Sequence, residues 1–333
     1  IVCFTFPHVG NVGANPDDEE AASERARKAA VGMIARAPIT DQANWRANER
    51  FDAWLAGRGV VAITGVDTRA LTRRIRERGM VMAVIAHDPD SDFDIEALKR
   101  RAAEAPQMEG RELARDVSSE HSADWAVAGW DWPNGYDAGP QDGPRVVVLD
   151  YGVKANILRR LAASGARVSL APGSASAEEI LAAAPDGVVV SNGPGDPAAT
   201  GAYAVETLRG VIEAGVPVLG ICLGHQMLAL ALGARTVKMA QGHHGANHPV
   251  KNHETGQVEI VSMNHGFAVD RDSLPGDAVE THVSLFDGTN CGFKLKDRPV
   301  MSVQHHPEAS PGPQDSFNVF DRFVASLKTA ADA

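Results

Sequence analysis

Downstream of Arg145 the chain alternates between short apolar runs and amphipathic stretches. Arg145–Asp150, Ala166–Leu170, Gly187–Ser191 and Val218–Ile221 read as strands. Lys154–Ser164, Ala177–Ala184 and Val205–Glu213, which lie between them, carry apolar residues at helical spacing. This repetition predicts a parallel sheet with helices on both faces. Upstream the pattern is looser. Ile1–Phe6, Val60–Thr64 and Val81–Ile85 read as strands, Thr68–Arg78 and Ser91–Glu104 as helices, and Asp17–Ile34 as a helix or a charged loop. The arginines of Thr68–Arg78 read most simply as a solvated helix face. Trp130–Pro144 is crowded with Gly, Pro, Asp and Asn, which marks a linker. The expected fold class is therefore α/β. A carboxyl-terminal doubly wound, mostly parallel sheet spans 145–333, a linker spans 131–144, and a separate mixed α/β amino-terminal domain spans 1–130.

Composition narrows the function classes. A chain of 333 residues with 44% hydrophobic and 23% charged residues is ordinary globular material for two domains. A formal net charge of -11 with no basic block argues against nucleic acid and anionic membranes as partners. No apolar run approaches about 18 residues, the length that spans a bilayer, and no signal peptide is visible at the start. Three cysteines, Cys3, Cys222 and Cys291, form an odd, sparse set. That set fits free thiols in a reducing compartment and an expected cytoplasmic location.

Three fragments carry chemistry. Gly220-Ile221-Cys222-Leu223-Gly224 sets a cysteine between glycines where an apolar run passes into Met227–Leu232, a helical stretch. That is the thiol form of a nucleophile elbow: small neighbours permit the tight turn, and the N–H groups of the new helix favour a thiolate. The Leu223 N–H is placed to help bind an oxyanion. The alternative reading is a buried structural cysteine. A late fragment, Ser302–Glu308, offers His306 as a base and Glu308 as the group that orients it, with Pro307 stiffening the pair. Its alternatives are a polar loop or a metal pair, but no third ligand stands at a familiar spacing, so no metal is expected. Ser191–Pro197 follows the Gly187–Val190 strand as a Gly-rich loop. It lacks the Gly-Lys-Ser/Thr ending of a phosphate loop, and Gly193 and Gly195 permit backbone N–H groups to approach a ligand. The nucleophile and the Gly-rich loop would fall at carboxyl ends of strands, on one edge of the sheet.

Together, Gly-Ile-Cys-Leu-Gly-His-Gln, Ser-Asn-Gly-Pro-Gly-Asp-Pro and His-Pro-Glu resemble the class I, triad-type glutamine amidotransferases, whose fold is flavodoxin-like. Further segments resemble the small, glutaminase subunit of carbamoyl-phosphate synthases. These are Pro7–Asn15, Asp67–Arg73, Lys238 with Gly242–Lys251, Asn264–Val269, Ser284–Thr289 and His306–Pro313. The resemblance covers nearly the whole chain apart from about Asp90 to Gln141. It implies a catalytic triad of Cys222, His306 and Glu308, with Gly193, Gly195, Leu223, Gln226, Asn264, Gly266 and Phe267 lining a glutamine pocket. It also implies a heteromer with a large synthetase subunit that consumes ATP, with Mg, and bicarbonate, since this chain carries no nucleotide signature. The amino-terminal domain would then dock the partner. The product, carbamoyl phosphate, serves arginine and pyrimidine biosynthesis. The chain opens at Ile1 without Met, and the family implies a leading segment that supplies a glutamine-contacting serine, so no residue is assigned that role here. Two other readings are a free-standing cysteine amidohydrolase acting on another γ-glutamyl amide and a catalytically silent regulatory subunit.

Overall fold

The computed structural model describes residues 1–27, 30–310 and 312–331. The chain divides into two compact units, residues 1–19 with 28–107 and residues 20–27 with 108–333. The boundary after residue 107 differs from the one read from composition, because residues 108–144 pack with the larger unit.

The smaller unit is built on a short parallel sheet. β1 (Val2–Cys3), β2 (Gly32–Ile34) and β3 (Val61–Ile63) run side by side in that order. Its helices are α1 (Phe51–Gly57), α2 (Thr68–Arg78) and α3 (Ile95–Glu104). Asp67 and Asp94 cap α2 and α3 by accepting the Ala70 and Ala97 N–H groups. Met33, Ala35 and Leu55 form a small buried core with Phe51 and Trp54 packed against it. One reading needs correction: Val81–Ile85 forms no strand. Of the two readings of Asp17–Ile34, the described residues follow the loop, with two short 3-10 turns and β2 at its end; residues 28 and 29 lie outside the described set.

The larger unit begins with a one-turn helix α4 (Ala114–Val117), the edge strand β4 (Ala123–Trp125), and a hairpin of β5 (Val127–Asp131) with β6 (Gly135–Ala138). The hairpin occupies most of the stretch expected as a linker: Gly135 supplies the positive φ of its turn, so the Gly and Asn content marks a tight reversal between strands. Then come β7 (Arg145–Asp150), α5 (Ala155–Ala163), β8 (Arg167–Pro172), α6 (Ala177–Ala182), β9 (Gly187–Val190) and α7 (Pro197–Glu213). β10 (Val218–Ile221), α8 (Leu223–Ala231), β11 (Thr236–Asn252), β12 (Val258–Val269), β13 (Ala278–Ser284), β14 (Asn290–Leu295), β15 (Val300–Val303) and α9 (Asn318–Ala331) complete it.

One sheet runs β12-β11-β13-β14-β15-β10-β9-β7-β8-β4, and its central strands β15, β10, β9, β7 and β8 are parallel. Alternation along each strand feeds two cores. Val147 and Leu149 join the α6, α7 and α8 side, where Ile180, Leu208 and Met227 pack. Val146 and Val148 join the α5 and α9 side, where Ile157, Leu161, Phe320 and Phe323 pack. Both sides of the central strands are therefore dry, which is why they read as unbroken apolar runs. The fold is the expected α/β class with a doubly wound sheet, parallel across its five central strands and antiparallel at both flanks.

Candidate active site

β10 delivers the chain to Cys222, and α8 starts at the next residue. Cys222 holds φ 53°, ψ -101°, a conformation that costs an L-residue about 1–3 kcal/mol. Its N–H donates to Val303 O at 2.9 Å, and the Gly224 N–H donates to Ser191 O at 3.0 Å. Both flanking glycines are sterically required. A Cβ on Gly220 would stand 2.6 Å from Leu228 Cδ1, and one on Gly224 would collide with Val190 O. The elbow is thus tied to β15 on one side and to the 191–197 loop on the other.

β15 carries the chain on to His306 and Glu308. His306 Nδ1 lies 2.8 Å from Glu308 Oε1, and Cys222 stands close enough to favour the charged ring. Cys222, His306 and Glu308 are 4%, 8% and 0% exposed, so their charges interact with little solvent screening. Burial disfavours the imidazolium, yet the Glu308 carboxylate and Cys222 outweigh it and raise His306 to about 10. Burial likewise pushes Glu308 up, but His306 and then Lys154 pull it down to about 2. His305 is fully buried with both ring nitrogens unpartnered, and burial holds it well below the usual histidine range.

The sequence reading missed four contributors. Lys154 Nζ sits 3.2 Å from Glu308 Oε1. Asn192 fixes the turn before α5, accepting the Lys154 N–H at 3.0 Å and donating to Gly152 O at 3.1 Å. Asn156 Nδ2 donates to Glu308 O at 2.5 Å. None of these has a local signal, because each meets its partner only across the fold. A fourth, Gln304, follows β15 directly and points its Nε2 at Cys222 Sγ at 3.7 Å.

The residues expected to line a pocket fall in two groups. Gly193 is at the elbow: a Cβ there would collide with Tyr151 O and stand 2.8 Å from Leu223 Cδ2. The Asn264 carbonyl lies 4.0 Å from Cys222 Sγ. Gln226 is 3% exposed and its Nε2 is shared between Phe267 O at 2.7 Å and Gln304 Oε1 at 2.9 Å, so its amide braces the site wall. Gly195 makes the turn of its loop at φ 100° and packs against Arg111 and Leu113. Gly266 O faces Lys238 Nζ at 3.4 Å, and the same ammonium stands 5.0 Å from the Phe267 ring centroid.

A chain of rings backs the β11–β12 hairpin. His265 Nδ1 is 2.8 Å from Phe267 O, His265 Nε2 is 3.1 Å from His243 Nδ1, and His243 Nε2 is 2.8 Å from Asp287 Oδ2. A carbonyl only accepts, so His265 Nδ1 carries the proton and Nε2 accepts from His243. Burial keeps His265 down at about 3, consistent with that neutral form. Among the described residues, no group of three or more His, Cys, Asp or Glu side chains is placed to hold a metal ion, and no helix is long and apolar enough to cross a membrane.

A cysteine on a strained strand-to-helix turn, a His–Glu pair beside it and a doubly wound sheet beneath them define a class I glutamine amidotransferase. Residues 147–326 match the family described as glutamine amidotransferase class-I, and residues 1–85 match the carbamoyl-phosphate synthase small chain, CPSase domain. The chain is 70% identical to the carbamoyl phosphate synthase small chain of Maricaulis maris (strain MCS10), covering 100% of this chain and 85% of the relative. It is 62% identical to that of Brucella anthropi over 98% of this chain and 81% of the relative. A crystal structure of a GMP synthase-type protein from Thermoplasma acidophilum superposes with TM-score 0.50 at 25% identity, covering 58% of this chain and 100% of that one. The chain therefore belongs to the carbamoyl phosphate synthase small-chain family, as the glutaminase-type chain of that enzyme.

Proposed function

We propose that this chain hydrolyses glutamine to glutamate and ammonia and passes the ammonia to a large synthetase chain for carbamoyl phosphate synthesis. The observation that carries the reading is the Cys222–His306–Glu308 array at the end of β10 and β15. The Cys222 thiolate attacks the side-chain amide carbon of glutamine. The Leu223 N–H, which as the first helical residue has no intrahelical acceptor, and N–H groups of the Gly193 loop receive the oxyanion. His306, held protonated by Glu308, gives its proton to the leaving nitrogen, and ammonia departs. Water then attacks the γ-glutamyl thioester with His306 as base. Lys154 holds the Glu308 carboxylate ionised and in place. Gly193, Gly195, Leu223, Gln226, Asn264, Gly266 and Phe267 shape the glutamine pocket.

ATP, Mg and bicarbonate belong on the large chain in this scheme, in the cytoplasm. The smaller unit, which carries no catalytic constellation among its described residues, serves docking. Cys222→Ser in the two-chain complex tests the assignment. Glutamine-driven synthesis should disappear while ammonia-driven synthesis survives. Loss of both would assign Cys222 a structural role.

A further inference from the structure

The smaller unit contains a cavity of about 690 Å3 lined by Thr5, Pro7, Arg36, Thr68, Arg69, Thr72, Arg73 and Arg76. Its position follows from topology. Thr5 and Pro7 follow β1, Arg36 follows β2, and the α2 residues follow β3, all three strands being parallel. The cavity therefore collects the segments leaving the carboxyl ends of every strand in this sheet. That is where open parallel sheets bind their ligands, and the volume is that of a small-molecule site.

The charge pattern names the ligand class. Every charged residue lining the cavity is an arginine, in a chain whose net charge is -11. Arg69, Arg73 and Arg76 stand at helical spacings of four, three and seven residues, so α2 sets like charges side by side. Arg36 is partly balanced by Asp67, 3.6 Å away, the carboxylate that also caps α2. Among the described residues, no acidic side chain lines the wall opposite Arg69 and Arg73. Of the five arginines of α2, Arg74 and Arg78 lie off the cavity and Arg69, Arg73 and Arg76 line it. Here they converge on a concavity, beside the Thr68 and Thr72 side chains. Planar guanidinium forks match the oxygens of a phosphoryl group in pairs, and several of them together exceed the charge of one carboxylate.

We propose that this cavity is a binding site for a phosphoryl oxyanion, either free phosphate or the phosphate ester of a small metabolite. The test is isothermal titration of the full chain with inorganic phosphate and with ribose 5-phosphate, at constant ionic strength, with acetate as the control anion. Saturable binding of a phosphoryl probe is expected, weakened at least tenfold in the Arg69→Gln/Arg73→Gln double variant and unchanged in Arg78→Gln, which lies off the cavity. Tighter binding of the ester assigns a phosphorylated metabolite, and equal binding assigns free phosphate. Arg69→Lys/Arg73→Lys keeps the charge, removes the forks and should bind between the two, which guards against a folding artefact. Three outcomes overturn the proposal. One is absence of saturable binding, and another is binding that ignores the double variant or is matched by acetate. The third is loss of assembly with the large chain in the double variant without any phosphate binding, which would make the arginines a contact for an acidic protein surface.

Discussion

Lys154 Nζ and Glu308 Oε1 lie 3.2 Å apart, and the same carboxylate oxygen faces His306 Nδ1 at 2.8 Å. Glu308, itself fully buried, is thus clamped between two cations. Removing the ammonium relaxes the clamp from one side. Lys154→Met should lower kcat about tenfold, the rate equivalent of about 1.4 kcal/mol of lost positioning of the orienting carboxylate. The acid limb of the kcat/KM profile should move to higher pH, because Lys154 helps hold Glu308 low. An unmoved acid limb would show that Lys154 serves only the turn before α5.

His306→Asn should cost about 100- to 10,000-fold in glutamine hydrolysis, the usual span for a general acid–base group. Glu308→Gln should cost less, because it orients without transferring the proton. His305→Asn should leave the chemistry nearly intact: the ring is held neutral and touches no member of the array through a hydrogen bond. Steady-state kinetics of the three variants with the large chain present would rank them, and a larger loss for His305→Asn would identify a different base.

The His306–Glu308 pair also sets a pH window for stability. Glu308 is lowered from 4.5 to about 2, so its contribution is full above pH 4.5 and disappears as pH falls toward 2. His306 is raised from 6.5 to about 10, so its contribution is full below pH 6.5 and disappears as pH rises toward 10. The melting-temperature gap between the native chain and Glu308→Gln should be widest between about pH 4.5 and 6.5. It should narrow on both sides. A gap that is constant from pH 5 to 10 would contradict the charged-pair description.

The elbow glycines should separate cleanly from a surface glycine. Gly220→Ala forces Leu228 and the α8 backbone to move, and overpacking of this kind costs about 1–3 kcal/mol. Gly224→Ala meets a backbone carbonyl, Val190 O, and should cost at least as much. Gly57, at the end of α1, has nothing within 4 Å of a built Cβ. Gly57→Ala should be neutral or stabilising by up to about 1 kcal/mol. Urea denaturation of the three variants would check the order.

What was legible in the chain was what neighbouring residues enforce. Strands buried on both faces wrote themselves as apolar runs, and a cysteine between two glycines at a strand-to-helix boundary needs only its own neighbours to be recognised. His306 and Glu308 were legible because they sit two residues apart. Lys154, Asn156 and Asn192 were not, because each acquires its role from a partner brought in by the sheet, as when Asn156 reaches Glu308 across 152 residues of sequence. The β5–β6 hairpin was hidden by its turn residues, which look the same in a linker. Val81–Ile85 had strand composition but found no neighbouring strand to pair with, and β propensity acts only through such pairing.

The central claim is that glutamine becomes bound through its γ-carbonyl to the Cys222 sulfur. Acid-quenching the complex during turnover with carbon-labelled glutamine, followed by peptide mapping, tests this directly. The account predicts label on the peptide carrying Cys222, and none in the Cys222→Ser variant. Label on the peptides of Cys3 or Cys291, or glutamine turnover that persists in Cys222→Ser, would contradict it.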